Sequence, residues 1–280
     1  MKTASPLAPK TANTNDMIDD RTIDDHTRDR AIAITADNGD EDALLLQPEV
    51  PAALVFNGKS HAVMMTSPYD LEDFVTGFCL SEGIIETVSQ IAVRDIRSTL
   101  RGYVIEADLD EDCIDALASR QRTLEGRSGC GLCGVQSLEA IPAQATRQVT
   151  PGNMAQNIVL AAIDALPAFQ SRNKAGGGLL HASAFADANG TIMLAREDIG
   201  RHNALDKVLG ALARQNIDPA GGFILMTSRC SYELVTKTVQ CGIGGLVTLS
   251  GPTLTAVNLA RQAGLILICR ERRGLFRRFS

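Results

Sequence analysis

The last third of the chain alternates short apolar runs with segments of helical periodicity. The runs GFILMT, GLVTLS and LILIC predict three strands, and SYELVTKTVQCG and TLTAVNLARQAG between them predict two helices. This β-α-β-α-β order favours parallel strands with right-handed crossovers. Polar residues stand where the strands stop, at Thr227 to Arg229, Ser250 to Pro252, and Arg270. Because ligands of open α/β sheets lie off the carboxyl ends of strands, the pattern predicts a site at that edge.

The pattern from about residue 50 to residue 125 predicts a small α+β unit. Two runs, AALVFNG and KSHAVMMTS, are joined by Asn57-Gly58, a pair typical of a tight hairpin turn. A helix follows in SPYDLEDFVTGFCLSEGII, with Ser67 as the expected cap and Pro68 in its first turn. IAVRDIRSTLRGYVIEADL then predicts short strands, and CIDALASRQRT predicts another helix. The apolar stripe of the first helix consists of Leu71, Phe74, Val75 and Phe78.

Residues 1–42 are polar, rich in Asp and Thr, and without a period, which predicts a mostly disordered acidic arm. We expect ordered structure to begin near Leu44. The length of 280 residues fits one large domain or two small ones, and we place a small α+β domain at 43–140 and an α/β domain at 141–280. The arm contributes most of the formal net charge of −6, so the body of the chain is nearly neutral. The net charge therefore indicates little about partners.

The composition excludes several classes of protein. With 45% apolar residues the chain can bury a core, which excludes collagen-like and wholly disordered proteins. No uninterrupted apolar run reaches the length of a membrane span, and the N-terminus lacks a continuous apolar signal segment. Among the seven cysteines only Cys130 and Cys133 are close in sequence, which favours a reducing, cytoplasmic compartment over a disulfide framework. Most of the others are expected to be small buried hydrophobes.

The motif GRSGCGLCGV places Cys130 and Cys133 in a glycine-rich loop. Such a pair suits half a zinc site, a dithiol–disulfide couple, or a nucleophilic thiol with a neighbour. No second CxxC exists, so zinc would need distant ligands or a second chain. Arg127 favours the thiolate, which is the form that attacks sulfur, and the glycines permit a mobile loop. A thiolate that accepts and delivers a group is the functional interpretation, and two incidental thiols in a turn are the alternative.

Residues 195–207, AREDIGRHNALDK, concentrate charged and amide side chains directly after the apolar strand TIMLA. The four-residue spacing of Asp198, His202 and Asp206 predicts that they share the helix face opposite the apolar stripe. An exposed, salt-bridged face is one interpretation of this composition. A pocket-lining cluster at a strand-to-helix junction is the other, formed by Glu197, Asp198, Arg201, His202 and Asn203.

Two further segments carry candidate chemistry. GGGLLHAS contains His181, which suits an acid, a base, a ligand or a packed core position. In SRCSYE, Ser228 or Ser231 can cap the following helix, and Arg229 can pair with a phosphate or a carboxylate. Zinc nucleobase deaminases carry His-x-Glu, whereas Ser183 stands two residues after His181 here, which disfavours deaminase chemistry.

Taken together, these segments resemble the FdhD family, the accessory sulfurtransferases of formate dehydrogenase. The resemblance covers about residues 44–276 and rests on SPYDLEDFVTGFCLSEGII, GRSGCGLCGV, GGLLHASAF, REDIGRHNALDKVLG, TSRCSYELVTK and LSGPTLTAVNLA. It implies a cytidine-deaminase-like C-terminal α/β domain with a smaller α+β N-terminal domain, usually as a homodimer. It also implies sulfur transfer through a cysteine persulfide.

In that family the donor is a cysteine desulfurase, and the recipient is the molybdenum or tungsten bis(molybdopterin guanine dinucleotide) cofactor that the catalytic subunit of formate dehydrogenase needs. The resemblance makes Cys130 the persulfide carrier and Cys133 its partner or alternate carrier. We expect no structural metal and no nucleic-acid or membrane partner. The family's cofactor-binding stretch maps onto 270–275, where its usual Gly-Phe, basic and Gly-Arg pattern is replaced by Cys269-Arg270, Arg272 and Gly274-Leu275. The predicted cofactor contacts are Arg270, Glu271, Arg272, Arg273, Gly274 and Leu275, together with His181, Arg201, His202, Ser228 and Arg229.

Two other functions fit the same residues. A disulfide oxidoreductase would cycle Cys130 and Cys133 between dithiol and disulfide without a stable persulfide. A cofactor chaperone would hold and shield the dinucleotide cofactor without moving sulfur.

Overall fold

The computed structural model describes residues 30–35, 41–114, 117, 147–175, 178–271 and 274–280. Strands β1 (Arg30–Thr35) and β2 (Glu41–Leu46) form an antiparallel pair. We predicted a disordered arm at 1–42 and ordered structure from about Leu44. This is wrong for residues 30–35 and 41–42, which lie in strands. RAIAIT carries β-branched residues that favour a strand, and the acidic residues around it masked this pattern.

A second sheet contains four strands, which are β3 (Val50–Phe56), β4 (Lys59–Thr66), β5 (Ile91–Thr99) and β6 (Gly102–Leu109). Their order is β4-β3-β6-β5, with a 3₁₀ turn at Val88–Gln90 before β5. Asn57 and Gly58 join β3 to β4 with φ angles of 48° and 77°, the positive values that a tight hairpin turn requires. The predicted hairpin and the two later strands are confirmed.

Helix α1 (Leu71–Ser81) packs on one face of this sheet, where Phe74 and Phe78 meet Leu54 and Ile105 in one buried cluster. The helix begins later than its sequence suggested, because Asp70 with a φ of 53° precedes it. The prediction that Ser67 caps α1 is therefore wrong. Residues 111–114 are helical, as expected for the start of CIDALASRQRT.

The rest of the described chain forms a six-stranded sheet with helices on both faces. Its helices are α2 (Gln156–Ala165), a 3₁₀ turn (Leu166–Phe169), α3 (Ser171–Ala175), α4 (Arg201–Arg214), α5 (Tyr232–Gln240) and α6 (Leu254–Ala263). Its strands are β7 (His181–Ala186), β8 (Ile192–Asp198), β9 (Phe223–Met226), β10 (Gly245–Thr248), β11 (Ile266–Arg270) and β12 (Phe276–Arg278). The strand order is β12-β11-β10-β9-β7-β8.

Strands β9, β10 and β11 are parallel and are connected through α5 and α6, which confirms the predicted β-α-β-α-β run. Strands β7 and β12 are antiparallel to β9 and β11, and β8 is antiparallel to β7, so the sheet is mixed. Consequently the start of β7, the end of β8 and the start of β12 lie at the same edge as the carboxyl ends of β9, β10 and β11.

Both faces of this sheet are covered. Ile224 and Met226 of β9 belong to a core cluster shared with α4, α5 and α6. Phe223 and Leu225 face the opposite way, into a cluster shared with α2. Burial on both faces explains why these strands are continuous apolar runs rather than alternating ones.

Helices α1 and α4 cross in direct backbone contact. A Cβ atom at Gly77 would lie 1.7 Å from the carbonyl oxygen of Asp206, and one at Gly210 would lie 1.9 Å from the carbonyl oxygen of Asp73. Any side chain larger than hydrogen is therefore excluded at both positions. The crossing joins the helix of the four-stranded sheet to α4, which packs on the six-stranded sheet.

The architecture is a mixed α/β fold, as predicted. The cytidine-deaminase-like assignment stays a prediction, and the predicted boundary at residue 140 lies outside the described residues. Within the described ranges, no helix is long and apolar enough to cross a membrane.

We expect Gly77→Ala to lower the free energy of unfolding by about 3 kcal/mol, because its methyl group must force α1 and α4 apart. Alanine in an ordinary helix position would instead stabilise by about 1 kcal/mol relative to glycine. Urea denaturation measures the difference. Gly58→Asn is the control, since its Cβ meets no atom within 4 Å and asparagine tolerates a positive φ. An unchanged or raised unfolding free energy for Gly77→Ala would contradict the close crossing.

Candidate functional site

The carboxyl-end edge of the six-stranded sheet, which we call the strand-end edge, gathers most of the predicted site residues. Ser228 and Arg229 lie two and three residues after the end of β9, and Arg270 ends β11. His181 begins β7 and is paired with Asp198, the last residue of β8. The sequence therefore predicted correctly that polar residues at separate strand ends come to one edge.

The predicted cofactor-binding stretch after β11 turns back along the same edge. Arg270 is paired with Phe276 of β12, and the amide of Glu271 donates to the carbonyl oxygen of Leu275 at 2.8 Å. Gly274 has a φ of 82°, a backbone conformation that glycine adopts without strain. Arg272 and Arg273 lie outside the described residues, as do Cys130 and Cys133.

Three arginines supply positive charge at the strand-end edge. Arg229 and Arg270 are exposed, and Arg201 is partly exposed at the start of α4. Within the described part of the chain none of the three forms a salt bridge, whereas Arg277 nearby is paired with Glu271 at 2.8 Å. Guanidinium groups pair well with phosphate and carboxylate groups, so this charge suits an anionic ligand.

Helix N-termini add to this charge. Helices α4, α5 and α6 follow the ends of β8, β9 and β10, so all three begin near the strand-end edge. The N-terminus of a helix carries partial positive charge and free amide donors, which favour anions. Only α6 has a side-chain cap among these three, the Thr253 hydroxyl accepting from the amide of Ala256 at 3.2 Å.

The prediction that the hydroxyl of Ser228 or Ser231 caps α5 is wrong. Ser231 occupies the N-cap position of α5, but its hydroxyl makes no capping hydrogen bond. Ser228 is buried, and its hydroxyl donates to the carbonyl oxygen of Arg229 at 3.0 Å.

Asp198 is fully buried and accepts five hydrogen bonds. One carboxylate oxygen accepts from the Thr66 hydroxyl at 2.7 Å, from the Ser67 amide at 2.9 Å and from Lys207 Nζ at 2.6 Å. The other oxygen accepts from the amide of Gly200 at 2.7 Å and from Asn203 Nδ2 at 3.1 Å. The carboxylate therefore holds the end of β8, the start of α4 and the end of β4 together.

The predicted helical face of Asp198, His202 and Asp206 is wrong, because Asp198 ends β8 and α4 starts three residues later. Two other members of the predicted pocket-lining cluster also serve the protein's own structure. Glu197 accepts from the backbone amides of Arg172 and Asn173 at 2.9 and 2.8 Å, and Asn203 donates to the carbonyl oxygen of Met65 at 2.7 Å. Arg201 is the member of the cluster that remains partly exposed.

A second buried ion pair joins three helices. Asp206 of α4 accepts from Lys237 Nζ of α5 at 2.9 Å and from the Ser81 hydroxyl of α1 at 2.6 Å. Burial lowers the pKa of Lys237, but the attraction of Asp206 and Glu82 outweighs it, so the net pKa is raised and the ammonium stays charged.

The two histidines of the site lie in different surroundings. His202 is buried on α4, with Nε2 3.8 Å from a carboxylate oxygen of Glu233 on α5, so it faces the helix layer. His181 is half-buried at the strand-end edge. Burial lowers its pKa, Arg201 and Arg229 lower it further, and Asp198 partly opposes them. The His181 imidazole is therefore neutral at neutral pH, beside cationic arginines.

Sequence reasoning missed the residues that hold this edge together. Thr66, Ser67 and Lys207 bind Asp198, and the first two lie more than 130 positions away from it in the sequence. No local pattern predicts such contacts. The expectation of buried cysteines is confirmed for Cys79, Cys113, Cys230 and Cys269.

The fold is that of an α/β protein whose strand-end edge carries exposed arginines and the starts of three helices. A scan of protein families matches residues 47–280 to the FdhD/NarQ family. The chain belongs to this family.

Curated relatives carry the name sulfur carrier protein FdhD. A protein of Xanthomonas oryzae pv. oryzae is 44% identical over 228 residues, covering 80% of this chain and 79% of that protein. Bordetella petrii has one that is 42% identical, covering 79% of each chain. A Burkholderia mallei protein is 44% identical over 234 residues, covering 80% of this chain and 84% of that one.

A crystal structure described as that of a candidate formate dehydrogenase accessory protein from Desulfotalea psychrophila has a similar fold. Its TM-score is 0.67 at 21% sequence identity, covering 90% of this chain and 96% of that chain. At this identity the likeness concerns the fold alone.

We expect the titration midpoint of His181, followed by NMR, to lie below the value of 6.5 for a free imidazole. Arg201→Gln removes a neighbouring cation and should raise that midpoint. Since the unfolded chain binds this proton at higher pH than the folded chain does, the contribution of His181 to stability falls as the pH drops below about 6.5. Arg94→Gln, a change in the four-stranded sheet, should leave the midpoint unchanged. A midpoint that Arg201→Gln fails to move would contradict the proposed electrostatics.

Proposed function

We propose that this chain is a cytoplasmic sulfur carrier for formate dehydrogenase. In this proposal it takes sulfur as a persulfide from a cysteine desulfurase and delivers it to the molybdenum or tungsten bis(molybdopterin guanine dinucleotide) cofactor. The names of the relatives support the sulfur-carrier role. The observation that carries the proposal for the ligand is the strand-end edge, with three arginines and three helix N-termini.

The site chemistry suits the pyrophosphate groups of a dinucleotide cofactor. Arg201, Arg229 and Arg270 offer planar donors for phosphate oxygens, and the starts of α4, α5 and α6 offer backbone amides. Neutral His181 can donate or accept a hydrogen bond there without adding charge. The cofactor is cargo in this proposal, so these residues hold and orient it during transfer.

The sulfur step follows from thiol chemistry. The Cys130 thiolate attacks the outer sulfur of the desulfurase persulfide, which releases the desulfurase thiol and leaves a persulfide on Cys130. The persulfide stays on Cys130 until the cofactor is bound. Attack of Cys133 on its inner sulfur then releases the outer sulfur to the cofactor as sulfide and leaves a Cys130–Cys133 disulfide, which a cellular dithiol reduces before the next cycle. The two protein thiols supply the two electrons that reduce the transferred sulfur.

The proposed partners are a cysteine desulfurase as donor and the catalytic subunit of formate dehydrogenase as recipient. A homodimer is proposed on the family resemblance. The chaperone and disulfide-oxidoreductase alternatives use the same residues, and they differ from sulfur transfer in whether the chain gains sulfur.

We expect Cys130→Ala and Cys133→Ala variants to fold with unchanged thermal stability but to lose formate dehydrogenase activation. Intact-protein mass spectrometry after incubation with a desulfurase and cysteine should show the gain of one sulfur on the unaltered chain and none on the double variant. Cys241→Ala, which changes a cysteine outside the motif, should still gain sulfur.

Full activation by both single variants would refute the carrier role. Cofactor binding with no sulfur gain would favour the chaperone. An internal disulfide of defined potential without persulfide would favour the oxidoreductase.

We expect Arg229→Gln and Arg270→Gln each to weaken the binding of GDP, a probe for the guanine dinucleotide, by about tenfold. The loss of one charge-assisted hydrogen bond, worth about 1.5 kcal/mol, has this effect on a dissociation constant. Isothermal titration calorimetry measures it, with Arg94→Gln as the control. Sulfur gain at Cys130 should persist in both variants. Unchanged GDP affinity in both variants would refute the proposal that Arg229 and Arg270 bind the cofactor.

A further inference from the structure

The turn between β11 and β12 carries a carboxylate among the arginines of the strand-end edge. Arg270 of β11 is paired with Phe276 of β12, and Glu271 begins the turn that joins them. The amide of Glu271 donates to the carbonyl oxygen of Leu275 at 2.8 Å, and the amide of Gly274 donates to the carbonyl oxygen of Glu271 at 2.9 Å. Two backbone hydrogen bonds therefore fix the position of Glu271 in this turn.

The two oxygens of the Glu271 carboxylate have different surroundings. Oε2 accepts from Arg277 Nε at 2.8 Å, whereas Oε1 is shielded from water and has no hydrogen-bond partner among the described residues. An unmet acceptor of this kind costs free energy, which an N–H group of a ligand would recover. The Glu271 side chain as a whole is 26% exposed, and the last torsion of a glutamate turns easily. A ligand on the turn can therefore reach Oε1.

Asp198 and Glu197, which are buried at the same edge, leave no such acceptor. Both oxygens of Asp198 and both oxygens of Glu197 accept hydrogen bonds from the protein itself. Glu271 instead keeps one oxygen for a donor from outside the protein.

The surroundings of Glu271 suit a ligand with phosphate groups and a flat ring. The Arg270 guanidinium lies against the turn, because a Cβ atom at Gly274 would be 3.5 Å from its Nη2 and 3.8 Å from its Nε. Leu275, with 57% of its surface exposed, adds an apolar contact on the same turn. A phosphate donor, a carboxylate and an apolar surface are thus placed within six consecutive residues, 270–275.

An ionised carboxylate selects rings that present N–H donors, because it can only accept hydrogen bonds. Guanine and pterins share a 2-amino-4-oxopyrimidine ring, in which a ring N–H group lies beside an exocyclic amino group. Both groups are donors, and they are spaced to meet the two oxygens of one carboxylate. Adenine presents a ring nitrogen acceptor at the corresponding position, which a carboxylate repels.

We propose that Glu271 is the specificity-determining residue of the strand-end edge, whose carboxylate accepts both donors of the 2-amino-4-oxopyrimidine ring of guanine or pterin. The inference rests on the proposed function, in which the cargo is a cofactor that contains both rings. Oε1 accepts one donor, and the remaining lone pair of Oε2 accepts the other while Arg277 holds the group. Arg229 and Arg270 supply affinity for phosphate, and Glu271 supplies the choice of ring.

The test compares nucleoside diphosphates by calorimetric titration of the full chain. GDP should bind more tightly than ADP, and Glu271→Gln should lower the ratio of the two affinities by about tenfold. The ratio is the readout because the loss of a negative charge favours every diphosphate alike. The same variant should gain affinity for xanthosine diphosphate relative to GDP, since the glutamine amide can donate to the oxo group that replaces the 2-amino group. A merely structural defect would weaken all three ligands together.

A separate titration distinguishes guanine from pterin. Neopterin carries the pterin ring without phosphate, and its fluorescence reports binding directly. Loss of neopterin binding in Glu271→Gln assigns the carboxylate to the pterin, and loss of the preference for GDP over ADP assigns it to guanine.

Glu106→Gln is the matched control, because Glu106 forms a comparable ion pair with Arg97 at 2.6 Å on the four-stranded sheet. This variant should leave every affinity ratio unchanged. If Glu271→Gln changes neither the GDP to ADP ratio nor neopterin binding, the proposal is overturned, and a chain that binds neither ring overturns it as well. Failure of the sulfur-carrier role is distinguished by the gain of sulfur at Cys130, which is measured without nucleotide.

Discussion

The buried carboxylate of Asp198 is the interaction on which the strand-end edge depends. An ionised carboxylate in the core costs several kcal/mol unless it is paired and hydrogen-bonded. Here the donors come from the end of β4, from the start of α4 and from Lys207 on that helix. If some of these donors were missing, the negative charge of Asp198 would be only partly compensated in the low-dielectric interior. The three segments must therefore assemble together, and the first residues of α4 are fixed as a result.

The contact between α1 and α4 extends this constraint to the four-stranded sheet. Asp206 and Lys237 pair in the interior, and Ser81 of α1 donates to the same carboxylate. The glycines at positions 77 and 210 bring the two helix backbones close enough for these short polar contacts. A larger residue at either position would separate the donors from their acceptor. The close helix crossing and the buried charge thus require each other.

Sequence reasoning succeeded where structure is local and failed where it is not. The Asn57-Gly58 hairpin and the parallel run from β9 to β11 depend on periodicity and turn chemistry within a few residues. The role of Asp198 depends on Thr66 and Ser67, which no short-range pattern connects to it. The four-residue spacing suggested a helical face, but pairing with His181 extends β8 through Asp198. Tertiary pairing therefore overrode a helix signal at this position.

The strand-end edge separates its polar residues into two groups by burial. Asp198 and Glu197 are buried and their oxygens accept hydrogen bonds from the protein itself, so they cannot also bind a ligand. Arg229 and Arg270 are exposed and form no salt bridge within the described ranges, although arginines elsewhere, such as Arg196 with Asp73, do pair. The buried carboxylates of Asp198 and Glu197 therefore stabilise the strand-end edge, and the exposed Arg229 and Arg270 give it positive charge. The strand-end edge therefore presents the exposed Arg229 and Arg270 to solvent although the body of the chain is nearly neutral, because the carboxylates of Asp198 and Glu197 accept their hydrogen bonds in the interior.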